Sequence, residues 1–192
     1  MTDASAPRFL VLYGTTDGQT TKVAAAIGEA LCAAGVTAEI ANAAGLWDPD
    51  PEDFAGVIVA ASVHAGGYQR AVARWVTSHA VALGQRPAVF VSVCLGVLEH
   101  KPTVDQELRR IMERFFTQTG WHPAETKMVA GALKYRQYNW LKRWIMKRIV
   151  AKAHGNTDTS RDYEYTDWKD LQAFTQRWVS GVVVKQPVPI AS

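Results

Sequence analysis

Five short apolar runs alternate with stretches of helical periodicity, and this alternation constrains the fold more than any single residue does. The runs are Phe9 to Tyr13, Val36 to Ala41, Gly56 to Ala61, Ala88 to Val93 and Met128 to Leu133, each bounded by turn residues. Helical patterns fall between them at about Thr20 to Ala34, Tyr68 to Ala82 and Val104 to Thr119. Continuous apolar strands separated by helices require a parallel sheet covered on both faces. With 192 residues, 48% of them hydrophobic, the chain is expected to form one such domain from end to end and is too short for two ordinary ones. An open sheet of this kind binds ligands beyond the carboxyl ends of its strands. The loops at 14–19, 62–67 and 94–102 are therefore expected to converge. The link from Asn42 to Asp53, with two prolines, reads as a surface crossover. A last helix is expected to start with Thr166 or Asp167 as N-cap and to run through Trp178, followed by a loose tail from Lys185 to Ser192.

The first of these loops carries chemistry. Phe9 to Tyr13 empties into Gly14-Thr15-Thr16-Asp17-Gly18-Gln19-Thr20 and then into a helix-forming run. Backbone N–H groups at a helix start lack intrahelical partners and carry the positive end of the dipole, so this order builds an anion site. Thr15, Thr16 and Thr20 add hydroxyls, and Gly18 lets the backbone curl around a phosphate. No lysine is placed as in a nucleoside-triphosphate loop and the spacing is not G-x-G-x-x-G, so a single phosphate monoester fits better than ATP or a dinucleotide. Asp17 is expected to face outward or to cap the helix. The competing reading is an ordinary Thr- and Gly-rich turn.

Thr15 to Thr20 resembles the phosphate loop of flavodoxins, T/S-x-T-G-x-T, with Asp17 in place of the second conserved hydroxyl residue. The resemblance implies a doubly wound α/β fold with five parallel strands in the order 2-1-3-4-5, and noncovalent FMN. By the same resemblance Thr15, Thr16, Asp17, Gly18, Gln19 and Thr20 surround the phosphate. Ser62, Val63, His64, Ala65 and Gly66 then border one side of the isoalloxazine, and Val93, Cys94, Leu95 and Gly96 the other. His64 is a candidate proton donor or porphyrin-side contact, set against the ordinary reading of a solvated loop histidine. Tyr68 either stacks on the ring or begins the next helix. The loop at Cys94 has no tyrosine, where electron-carrier flavodoxins commonly place one, so a flavin face is left open to a flat substrate. Cys94 is a candidate thiol near the ring, although a small buried apolar side chain is the commoner role. Cys32 reads as packing in the first helix. The two cysteines have no metal-ligand spacing.

The formal charge of +3 is uneven: between Glu125 and Asp158 there is no acidic residue, and eight Lys and Arg side chains give that segment +8, leaving −5 elsewhere. Here a second, more specific resemblance appears. Gly131-Ala132-Leu133-Lys134-Tyr135, then Ile145-Met146-Lys147, Gly155-Asn156-Thr157-Asp158-Thr159 and Tyr165-Thr166-Asp167-Trp168 are similar to the menaquinone-dependent protoporphyrinogen IX dehydrogenases. These are FMN-containing flavodoxin-fold enzymes of haem synthesis that deliver electrons to a quinone. The resemblance implies an inserted basic helical segment, about 134–162, after the fifth strand, and a return of Thr157 and Asp158 to the flavin. Lys134, Tyr135, Arg136, Trp140, Lys142 and Arg143 become candidates for contact with porphyrin propionates or a membrane surface. A solvated helix packed on the domain is the bland alternative for this segment. One departure is Leu98-Glu99-His100-Lys101-Pro102, less basic than the corresponding stretch of those dehydrogenases.

The activity implied is FMN-dependent oxidation of protoporphyrinogen IX with a quinone acceptor. The alternative is a flavodoxin-type electron carrier that docks a redox partner protein. No nucleic-acid partner is expected from an acidic body without a recognised binding motif. No run approaches the roughly 20 apolar residues that span a bilayer, and MTDASAPR lacks a signal peptide's charged start and apolar core. The expected location is the cytoplasm, with peripheral attachment to the inner face of the cell membrane.

Overall fold

The computed structural model describes residues 6–99, 101–133 and 163–185. Five strands, β1 (Arg8–Gly14), β2 (Thr37–Asn42), β3 (Gly56–Ser62), β4 (Ala88–Val93) and β5 (Glu125–Val129), form one parallel sheet in the order β2-β1-β3-β4-β5. The expected order is thus present. Its helices are α1 (Gln19–Ala33), α2 (Arg70–Ser78), α3 (Ala80–Gly84), α4 (Pro102–Thr119) and α5 (Trp168–Lys185).

Side-chain alternation assigns the two faces. Phe9, Val11, Ile58, Ala60, Val89 and Val91 project to one side, where Val23, Ile27 and Leu31 of α1 and Leu171, Phe174 and Val179 of α5 cover them. Leu10, Leu12, Val57, Val59 and Phe90 project to the other, against Val72, Trp75 and Val76 of α2 and Met112, Phe115 and Phe116 of α4. Both faces of β1, β3 and β4 are therefore buried, which is why these strands are unbroken apolar runs.

The fifth strand differs from the sequence expectation of Met128 to Leu133. It begins at Glu125 and ends at Val129, while Ala132–Leu133 (β6) turns away to pair antiparallel with Tyr163–Glu164 (β7). β5 is the sheet edge, and an edge strand tolerates exposed Glu125 and Thr126, which carry no apolar signal. The helix expected over Tyr68 to Ala82 breaks into α2 and α3 at His79 (φ −115°, ψ 15°). There the imidazole Nδ1 lies 2.9 Å from the Trp75 carbonyl that the residue's own amide also contacts. The last helix continues past Trp178 to Lys185, because Val179 and Val182 extend its buried face beyond Ser180 and Gly181. Its cap is Asp167, whose Oδ1 accepts from the Asp170 amide at 3.0 Å. Cys32, expected in the packing, is exposed on the outer side of α1. The basic insert and residues 186–192 of the tail lie outside the described residues.

Candidate functional site

β1 ends at Gly14, a position only glycine fits: a Cβ there would sit 2.3 Å from Val72 Cγ2. The chain then turns into α1 through Gly18, whose backbone is left-handed (φ 80°, ψ −2°) and whose amide donates to Thr15 Oγ1 at 2.8 Å. No side chain caps α1 and no acidic residue lies in its first turn. Its leading amides therefore keep their donors for another acceptor. Thr20 is fully buried and its hydroxyl has no hydrogen-bond partner among the described residues. Uncommitted amides beside an orphaned hydroxyl suit an anion, and the expected phosphate group fits here.

Gln19 is buried, and its Nε2 donates to Thr166 Oγ1 at 3.0 Å, which in turn donates to the Ala130 carbonyl at 2.7 Å. The Tyr165 amide donates to Gly131 O at 3.1 Å. These bonds hold the returning chain against the first turn of α1. Lys22 reinforces the junction through an ion pair with Glu164 at 2.5 Å, and Trp168 Nε1 donates to the same carboxylate at 3.0 Å. Chiefly through the Lys22 bond, the Glu164 carboxyl is held below its ordinary 4.5. A lowered carboxyl stabilises the fold above its unfolded value, and that contribution is lost as pH falls through the depressed folded value. Glu164→Gln is thus expected to cost under about 1 kcal/mol at neutral pH, with the gap from wild type closing in a thermal-unfolding series as pH falls below the ordinary 4.5 and through the depressed folded value.

The loop after β3 is a tight turn. His64 and Gly67 exchange two backbone bonds of 2.7 and 3.0 Å around Ala65 (φ 48°) and Gly66 (φ 75°). Ala65 in this conformation costs on the order of 1 kcal/mol. Arg114 of α4 holds the turn by donating to Gly66 O at 3.1 Å. His64 Nε2 lies 3.1 Å from Asp17 Oδ2, so Asp17 neither faces away nor caps α1. Gly18 is the cap residue, and the loop it shapes aims Asp17 across at the imidazole. Tyr68 does neither of the things expected of it: α2 starts at Arg70, and the phenol ring packs edge-on against Phe90 and Phe115, each at 5.0 Å. Its hydroxyl meets Ser92 Oγ at 2.8 Å, and burial pushes its pKa well up.

The third loop extends β4. The Cys94 amide donates to Val129 O at 2.9 Å and the Gly96 amide donates to Cys94 Sγ at 3.3 Å. Burial raises the Cys94 pKa, so the thiol stays protonated and packs rather than attacks at neutral pH. Leu95–Glu99 forms a single 3-10 turn with no aromatic side chain. Lys101 there pairs with Glu99 at 3.3 Å.

Together the three loops enclose a cleft of about 280 Å³. It is lined by Thr15, Asp17, Gln19, Thr20, Ser62, Val63, His64, Ala65, Val93, Cys94, Leu95 and Gly96, all anticipated, and by Gly131 and Ala132, which were not. The Gly131-Ala132 pair begins the motif shared with the dehydrogenases, which was the available signal. Thr16 is exposed and, like Gly18 and Gly66, does not line the cleft. Thr157 and Asp158, and Lys134, Tyr135, Arg136, Trp140, Lys142 and Arg143, lie outside the described residues.

Residues 10–160 match the family model described as a flavodoxin domain. The chain is 32% identical over 167 residues to "Protoporphyrinogen IX dehydrogenase [quinone]" of Escherichia coli (strain K12), covering 87% of this chain and 92% of that protein. A Leishmania major protein of the same name is 28% identical over 193 residues, covering 98% and 82%. Among solved structures, Flavodoxin 2 from Bacillus cereus superposes with a TM-score of 0.55 at 13% identity, over 91% of this chain and 99% of that one.

Proposed function

This chain belongs to the flavodoxin domain family, in company with quinone-dependent protoporphyrinogen IX dehydrogenases, and from that membership we propose that it oxidises protoporphyrinogen IX to protoporphyrin IX, using bound FMN and a quinone acceptor. The observation that carries this reading is similarity running through 92% of the Escherichia coli protein, well beyond the phosphate loop. When bound, FMN supplies acceptance of electrons two at a time.

The chain's own residues bind, orient and shelter. The first-turn amides of α1 and the Thr20 hydroxyl hold the phosphate. Ser62 to Ala65 and Val93 to Gly96, which line the cleft, would flank the ring, and their main-chain groups would tune it. The third loop puts no aromatic lid over the cleft, which leaves access for a flat tetrapyrrole. Asp17 and His64, joined at the cleft rim, form an acid–base pair that can carry substrate protons to solvent.

We assign all of this to one domain. Among the described residues no helix is long and apolar enough to cross a membrane. The basic, aromatic segment from Lys134 to Lys152 supplies the contact with propionates or with the surface of the quinone-bearing membrane, from the cytoplasmic side. The test is anaerobic turnover of protoporphyrinogen IX by the FMN-loaded protein with a menaquinone analogue. Porphyrin fluorescence should grow well above the nonenzymatic rate. Flavin-loaded protein that gives no such excess overturns the assignment and leaves the electron-carrier alternative.

A further inference from the structure

The loop that holds the phosphate and the loop that borders the ring are joined by one side chain outside the cleft. Gln69 Nε2 donates to Ser62 Oγ at 2.7 Å and to Thr16 Oγ1 at 3.1 Å, spanning the end of β3 and the turn after β1. The residue occupies the cap position of α2 but makes no capping bond with its side chain. Its Oε1 is buried without a hydrogen-bond partner among the described residues. A Cβ at Gly14 would lie 3.2 Å from that oxygen, so the carboxamide sits in a closely fitted seat. Asp17 and His64 join the same two loops a second time, at the mouth.

We propose that Gln69 is a positioning residue that fastens the phosphate loop to the ring-side loop, so that the flavin meets a preformed cradle. A carboxamide that makes two hydrogen bonds while burying an unpaired carbonyl gives little net stability, because the unpaired group offsets much of what the bonds contribute. What it secures is the relative placement of Thr16 and Ser62. Since Gln69 does not line the cleft, it acts on the cofactor only through those two residues. The inference rests on the FMN reading above and deepens it.

The experiment titrates FMN into apo wild type, Gln69→Leu, Thr16→Val and the double variant. It follows flavin fluorescence and the visible circular dichroism of the bound flavin, and measures the thermal midpoint of each apo protein. Gln69→Leu should weaken FMN about tenfold, the cost of ordering two loops that are no longer joined before the flavin arrives, change the flavin dichroism and leave the apo midpoint near wild type. The double variant should bind no more weakly than Gln69→Leu alone, because both changes sever the same link. Gln69→Asn, whose reach is one methylene shorter, should reproduce the affinity loss if the leucine variant does not fold. Unchanged affinity and dichroism, losses that multiply in the double variant, or an affinity loss that only tracks a lowered apo midpoint would each overturn the role. Wild-type protein that ignores FMN would instead remove the cofactor reading itself, and this inference with it.

Discussion

FMN is expected to bind this chain at least about 100-fold more tightly than riboflavin, the same molecule without its phosphate. Two or three hydrogen bonds from amides or hydroxyls to a dianion contribute about 1.5–3 kcal/mol each. The helix terminus adds roughly 0.3–1 kcal/mol. Against this stands the Asp17 carboxylate one residue from the helix cap, whose field is partly taken up by His64 at 3.1 Å. A net of about 3 kcal/mol corresponds to the stated factor. Thr20→Val isolates one contributor, since it keeps the shape of a side chain that is 0% exposed and deletes only a hydroxyl with no described partner. FMN affinity should fall about tenfold, riboflavin affinity should not move, and the apo protein should be no less stable, because a buried unpaired polar atom has been removed. Fluorescence titrations of both ligands read this directly. Equal affinities for the two flavins would mean that the start of α1 does not hold the phosphate.

Phe90→Ala is expected to destabilise the protein by about 3–5 kcal/mol, lowering the thermal midpoint by on the order of 10 °C for a chain of this length. Phe90 is 0% exposed on the interior strand β4, between β3 and β5. Its ring packs against Tyr68 at 5.0 Å, Phe115 at 5.2 Å, Phe116 at 5.4 Å and Trp121 at 6.3 Å between centroids. Alanine leaves a cavity that four large rings, two of them neighbours on α4, cannot jointly collapse into. Phe90→Leu, closer in volume, should recover most of the loss. Because Tyr68 rests on Phe90 and bonds Ser92 behind the cleft wall, FMN affinity should fall along with stability in the alanine variant. Urea unfolding supplies the free energy. A cost under about 1 kcal/mol would mean that this aromatic cluster is not tightly packed.

The strand-and-helix alternation, and with it the three loops at one rim of the sheet, is legible in the linear order of residues. Burial on two faces writes continuous apolar runs, and an anion-binding turn needs Gly18 and hydroxyls in order; both are local requirements that a linear pattern records. The strand order was legible through the family resemblance rather than through periodicity. The remaining features arise from packing in the folded molecule. Packing fixes where β5 begins, since an edge strand shows no apolar signal over Glu125 and Thr126, and it sets the break at His79. It sent the Tyr68 ring into the core and drew Asp17 toward His64, a partner 47 residues away. It also made Gln69, which looks in the sequence like any polar residue before a helix, the link between two loops. Such pairings depend on which side chains the folded sheet brings within about 3 Å of one another, and no periodicity along the chain carries that information.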